Sequence, residues 1–143
     1  MKGKNLMIGD WLQYYDCNLE KQCYAQVTSI QADGVMPYIQ TSDSDVYYLA
    51  EEYKPIPLTS EILEGNGFER WKNDNPCLIY ELKRREECVS VCVFFPKGYN
   101  TRYYKNWAMV STKENHIEHC VCEYVHELQH AFRLGGIEKE IKL

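Results

Sequence analysis

Apolar residues recur at Val121, Tyr124, Val125, Leu128, Ala131 and Phe132, the three-and-four spacing that gathers side chains onto one face of a helix. The stripe predicts an amphipathic helix over residues 118–134 with that face buried. Gly135 and Gly136 follow where a left-handed C-cap favours glycine, and Arg133 in the last turn suits the negative end of the helix dipole. Earlier in the chain the runs are short and broken by turn residues, which predicts strands over 6–15, 23–30, 35–40 and 46–50. Ile8-Gly9-Asp10-Trp11-Leu12 reads as a strand entry, 16–22 as a loop, Ala32-Asp33-Gly34 as a tight turn and 41–45 as a polar turn. Pro37 restricts the third run to an edge or irregular strand. Strands at this spacing predict a small antiparallel β-barrel of Src-homology-3-like type.

Pro55-Ile56-Pro57-Leu58-Thr59 is a stiff connector that ends in a helix-capping residue, and 60–64 is then a short helix stopped by Gly65 and Gly67. A boundary there gives a β-barrel subdomain over 1–58 and an α+β subdomain over 59–143, with a single compact unit as the alternative. After a loop at 72–76, strands over 77–82, 88–95 and 103–111 form a three-stranded antiparallel meander. The first pair is joined by the charged Lys83-Arg84-Arg85-Glu86-Glu87 and the second by 96–101. The C-terminal helix is suited to cover the meander's apolar face, so the fold class is α+β.

A chain of 143 residues with 45% hydrophobic content is long enough to bury a core, and twelve Tyr, three Trp and four Phe favour strands over a helical bundle. No apolar run approaches the roughly 20 residues of a membrane span. The opening Met1-Lys2-Gly3-Lys4-Asn5-Leu6 has no signal-peptide core, so a cytoplasmic location is expected. Seven cysteines are odd in number, irregularly spaced and without a C-x-x-C pair, which points to free thiols rather than a disulfide framework. The net charge of −5 is uneven: 1–58 holds four Lys against eight Asp and Glu, and 59–143 holds twelve Lys and Arg against thirteen acids. The acidic half is ill suited to a phosphate backbone and suited to a basic partner protein.

Within the predicted helix, His126-Glu127-Leu128-Gln129-His130 matches H-E-x-x-H, in which histidines one turn apart share zinc and the glutamate is a general base. The match is short and lacks its third ligand. The extended form needs Gly and His where Arg133 and Gly136 stand, and too little chain follows for a ligand on a later helix. His116, His119, Cys120 and Cys122 are the upstream candidates. On one continuous helix His119, His126 and His130 would project within about 40° of each other, whereas Cys120 and Cys122 would lie about 200° apart. The competing reading is a polar helix face shared with Glu123, Glu127 and Arg133.

Basic and aromatic residues interleave at Lys97, Tyr99, Arg102, Tyr103, Tyr104, Lys105 and Trp107, the mixture single-stranded nucleic-acid binders use for phosphates and bases. It is also ordinary strand composition, and Glu81, Glu86, Glu87 and Glu114 lie near it in sequence. No Gly-rich phosphate loop, nucleophile elbow or calcium loop is present.

Leu-Met-Ile-Gly-Asp-Trp-Leu at 6–12, Lys-Pro-Ile-Pro-Leu-Thr-Ser-Glu-Ile-Leu from Lys54 with Gly67-Phe68, and Tyr-Val-His-Glu-Leu-Gln-His-Ala-Phe at 124–132 occur in this order. Together they resemble a family of small uncharacterised proteins encoded by bacterial prophages and mobile elements, especially of anaerobic gut bacteria. The resemblance brings no activity, cofactor or site residue with it. It implies Asn at the position of His130 and often Gln at that of Glu127, so that the zinc motif is an accident and the helix face makes structural hydrogen bonds. The expected function is therefore a non-enzymatic cytoplasmic accessory protein, a protein-interaction module whose acidic barrel and aromatic sheet meet another protein. No catalytic, cofactor-binding or metal residue is assigned. A zinc-dependent hydrolase through His126, Glu127 and His130 is the first alternative, and nucleic-acid binding through 102–107 the second.

Overall fold

The computed structural model describes residues 6–31, 37–72, 77–84, 89–96, 105–111 and 117–143. The fold is α+β, with two five-stranded antiparallel sheets. The chain divides into two compact units, Met1–Ile56 and Pro57–Leu143.

In the N-terminal unit, β1 (Trp11–Asp16), β2 (Lys21–Gln31), β3 (Tyr38–Thr41) and β4 (Ser44–Leu49) form a meander, and β5 (Lys54–Pro55) returns to pair with β1. The strand order is β4-β3-β2-β1-β5. The expected strand entry at Ile8-Gly9-Asp10 is a turn. Gly9 takes φ 88° and donates its N–H to Val27 O at 2.6 Å, and the Asp10 carboxylate accepts the Met7 N–H at 2.8 Å. Glycine is needed there because a Cβ disfavours positive φ. The predicted five-residue turn at 41–45 is tighter than expected: Thr41 pairs with Ser44, leaving Ser42 and Asp43 as a two-residue connection. The expected tight turn at Ala32-Asp33-Gly34 lies outside the described residues. Leu6, Leu12, Val27, Ile39, Ala50 and Tyr53 form the core, with Tyr14, Ile30 and Tyr48 packed against it.

In the C-terminal unit, Thr59 caps α1 (Ser60–Gly65) by accepting the Ile62 N–H on Oγ1 at 3.3 Å. The helix ends in a Schellman motif: Phe68 N–H reaches Leu63 O, Gly67 N–H reaches Glu64 O, and Gly67 takes φ 80°. Then β6 (Glu69–Arg70), β7 (Cys77–Arg84), β8 (Val89–Pro96), β9 (Trp107–Ser111) and β10 (Ile117–Val121) pair in sequence order. The meander thus has two strands more than the three expected. By register, Tyr80, Val93 and Ala108 share one face with Leu82, Val91 and Val110, and of these all but Leu82 are buried. The helix α2 (Val125–Leu134) packs on β9 and β10 and buries Val125, Leu128, Ala131 and Phe132.

The predicted helix over 118–134 is corrected at its start: 117–121 is strand β10, and the helix begins at Val125. Val121 and Tyr124 keep helical spacing with the residues that follow. Ile117-Glu118-His119-Cys120-Val121 also satisfies strand propensity, and its pairing with β9 decides the conformation. The predicted C-terminus stands, with Gly136 at φ 64° and Ile137 N–H on Phe132 O. Among the described residues no helix is long and apolar enough to cross a membrane.

Candidate functional site

Three separate places on the N-terminal unit converge on one groove: the end of β1 with its turn (Tyr14, Tyr15, Asp16, Cys17, Asn18), the β3–β4 connection with β4 (Asp43, Ser44, Tyr48), and the 3-10 turn before β5 (Glu52, Tyr53). They line an open groove of about 430 Å³. Asp16 shapes the first place by accepting the N–H groups of Asn18 and Leu19 at 2.8 and 3.1 Å, an Asx-type turn. Buried Thr41 ties the other two together. Its hydroxyl donates to Asp43 Oδ1 at 2.7 Å and lies 3.1 Å from the Tyr53 hydroxyl.

Tyr14 Oη donates to the second carboxylate oxygen of Asp43. The same bond pushes the Tyr14 hydroxyl well above its usual range, with burial adding to the effect. Burial would raise Asp43, but the hydroxyls of Tyr14 and Thr41 outweigh it and hold the carboxyl below its ordinary value of 3.8. Tyr53 forms the floor, 5.4 Å from the Tyr14 ring centroid and 6.2 Å from that of Tyr48. Aromatic faces beside a fixed carboxylate attract cations. Residues 1–58, with four Lys against eight acids, add a long-range field of the same sign.

A carboxyl whose folded pKa is depressed contributes stability above its unfolded pKa and loses it as pH falls through the folded value. Acidification below the ordinary carboxylate range is therefore expected to destabilise the N-terminal unit. Asp43→Asn, measured in parallel by acid titration of the fold, should lose less; identical acid profiles would contradict the assignment.

The residues of the H-E-x-x-H match lie in the first two turns of α2. Glu127 Oε2 accepts the backbone N–H groups of Glu123 at 2.7 Å and Tyr124 at 3.1 Å, the glutamate half of a capping box. It closes the helix start and is not placed as a free base. His126 is buried, stacked 5.8 Å from Tyr124, and its ring lies 5.7 Å from that of His130. His119, expected on the same helix face, sits instead on β10, and by register its side chain shares a sheet face with Met109 and Cys92, opposite that of Ala108 and Val110. His116 lies outside the described residues. Among the described residues no group of three His, Cys, Asp or Glu could hold a metal ion.

Burial raises the thiol pKa of both Cys120 and Cys122, and carboxylate charge at Glu127 adds to both. The described cysteines Cys17, Cys23, Cys77, Cys92, Cys120 and Cys122 are all free. Replacing Glu127 by alanine is expected to cost about 0.5–2 kcal/mol of stability through the lost cap, and by glutamine distinctly less, because its amide oxygen can still accept. Chemical denaturation of the two variants checks this; equal losses would sink the capping role.

Of the basic and aromatic run, Lys97, Tyr99, Arg102, Tyr103 and Tyr104 lie outside the described residues. Lys105 pairs with Glu123 at 3.3 Å, and Trp107 stacks on Phe94 with centroids 3.8 Å apart. Sequence reasoning missed the groove residues Tyr14, Asp43, Tyr48 and Tyr53. The available signal was the acidic excess of 1–58 together with seven of the chain's twelve tyrosines. Comparison with protein-family models, with curated proteins and with solved structures gives no match to the chain.

Proposed function

We propose that the chain is a non-enzymatic accessory protein that works as a protein-interaction module, its N-terminal unit taking a positively charged segment of a partner protein in the tyrosine-lined groove. The observation that carries this reading is the groove itself: Tyr14, Tyr15, Tyr48 and Tyr53 beside Asp16, Asp43 and Glu52 around about 430 Å³. We read the N-terminal sheet as a small barrel of Src-homology-3-like type. β5 pairs with β1 rather than with β4, and a 3-10 turn at Ala50–Glu52 leads into it, a path that suits a meander curled back on itself.

A phage or mobile-element origin rests on the three resembling stretches at 6–12, 54–68 and 124–132. A glutamine in place of Glu127, which that resemblance implies, also fits, because either side chain can cap the helix. Free thiols at the described cysteines suit a reducing, cytoplasmic setting.

The test is titration of the full chain with a nine-residue Lys- and Arg-containing peptide, beside an acidic peptide of equal length. The cationic peptide is expected to bind and the acidic one not. Joint Asp43→Asn and Glu52→Gln replacement should weaken binding about tenfold or more, the scale of one lost charge-assisted contact. Unchanged affinity in that variant would remove the groove from the account.

A further inference from the structure

The chemistry of the groove narrows what it recognises, granted the reading of that groove as the partner site. Its tyrosine rings touch one another. Tyr14 and Tyr53 stand 5.4 Å apart and tilted by 58°, and Tyr48 and Tyr53 stand 6.2 Å apart and tilted by 68°. A compact ammonium held between two ring faces needs each face roughly 4–6 Å away, so the faces would stand about 8 Å or more apart. Neither the Tyr14–Tyr53 pair nor the Tyr48–Tyr53 pair opens such a slot. Half-buried Tyr14 and Tyr48 both line the groove with part of their surface open to a ligand.

Asp43 supplies the other half of the recognition. Its two oxygens are fixed from behind, one by the Tyr14 hydroxyl and one by that of Thr41. The carboxylate also takes a backbone hydrogen bond, and the residue is exposed, so Asp43 presents a preset, oriented carboxylate to an incoming ligand. A planar fork of N–H donors that also stacks on aromatic faces is a guanidinium; an ammonium is a strongly hydrated point charge without that shape. We propose that the groove's ligand is an arginine side chain of the partner protein, stacked on Tyr14 and Tyr48 and paired through two N–H groups with Asp43. Asp16 and Glu52 add negative charge at the rim.

Three nine-residue peptides that differ only in carrying arginine, lysine or citrulline at the same three positions, titrated calorimetrically into the full chain, test this. The arginine peptide is expected to bind about tenfold or more tightly than the lysine peptide. Citrulline, the uncharged isostere, should show no measurable binding. Asp43→Asn should erase the arginine preference. Glu52→Gln, at an exposed position that leaves the fold undisturbed, should weaken both cationic peptides while keeping the preference. Equal affinity for arginine and lysine overturns the guanidinium assignment and leaves the cationic-partner reading standing. Citrulline binding as tight as arginine, or no binding of any peptide, overturns both.

Discussion

Replacing Phe132 by alanine is expected to remove about 3–5 kcal/mol from the stability of the C-terminal unit. The ring is 1% exposed and stacks on Phe68 with centroids 6.1 Å apart and planes 11° apart. Both residues stand beside helix ends. Phe68 completes the Schellman motif of α1, and the Phe132 carbonyl accepts the Ile137 N–H that completes the one ending α2. Removing the ring leaves a cavity that these two fixed helix ends are poorly able to close. Denaturant unfolding followed by amide resonances of each unit gives the value. A loss below about 1 kcal/mol would show that the two helix ends are free to collapse into the space.

The second large effect is expected at Asn66, which is 3% exposed and whose side chain makes three hydrogen bonds. Its Nδ2 donates to Ile62 O at 2.7 Å and Lys142 O at 2.8 Å, and its Oδ1 accepts the Lys142 N–H at 2.9 Å. The side chain thus imitates a strand's backbone and anchors the tail that buries Ile137 and Ile141. Asn66→Ala should cost about 2–3 kcal/mol, because it leaves both backbone groups of Lys142 without their partner. Asn66→Asp sets a buried carboxylate oxygen against the Ile62 and Lys142 carbonyls, so it should cost at least as much. Faster hydrogen exchange at the Lys142 amide would accompany either change, and unaltered exchange would contradict the anchor.

The sequence announces its local features and hides its convergent ones. The ends of both helices are legible because Gly67 and Gly136 stand where a positive φ is required. The start of α2 is not, since 117–124 suits either a strand or a helix and a non-local pairing with β9 decides. The strands β5 and β6, two residues each, are too short to produce a pattern. Glu127 is misleading for the same reason in reverse. Three residues after Tyr124 it fits a capping box, and one residue after His126 it fits a zinc motif; only the hydrogen bonds to the backbone of Glu123 and Tyr124 distinguish them. The groove is the least legible part. Tyr14 is distant in sequence from Asp43, Tyr48 and Tyr53; the Thr41 hydroxyl joins Asp43 to Tyr53, Tyr14 joins through Asp43 and Tyr48 through its ring, and none of these links carries a periodic signal.

The most direct test of the account is amide-resonance mapping of the isotope-labelled full chain during titration with the arginine peptide. Shifts centred on Tyr14, Asp16, Asp43, Tyr48 and Tyr53, and absent with the acidic peptide, are the predicted result. Shifts confined to the C-terminal unit, or the same shifts with both peptides, would contradict it.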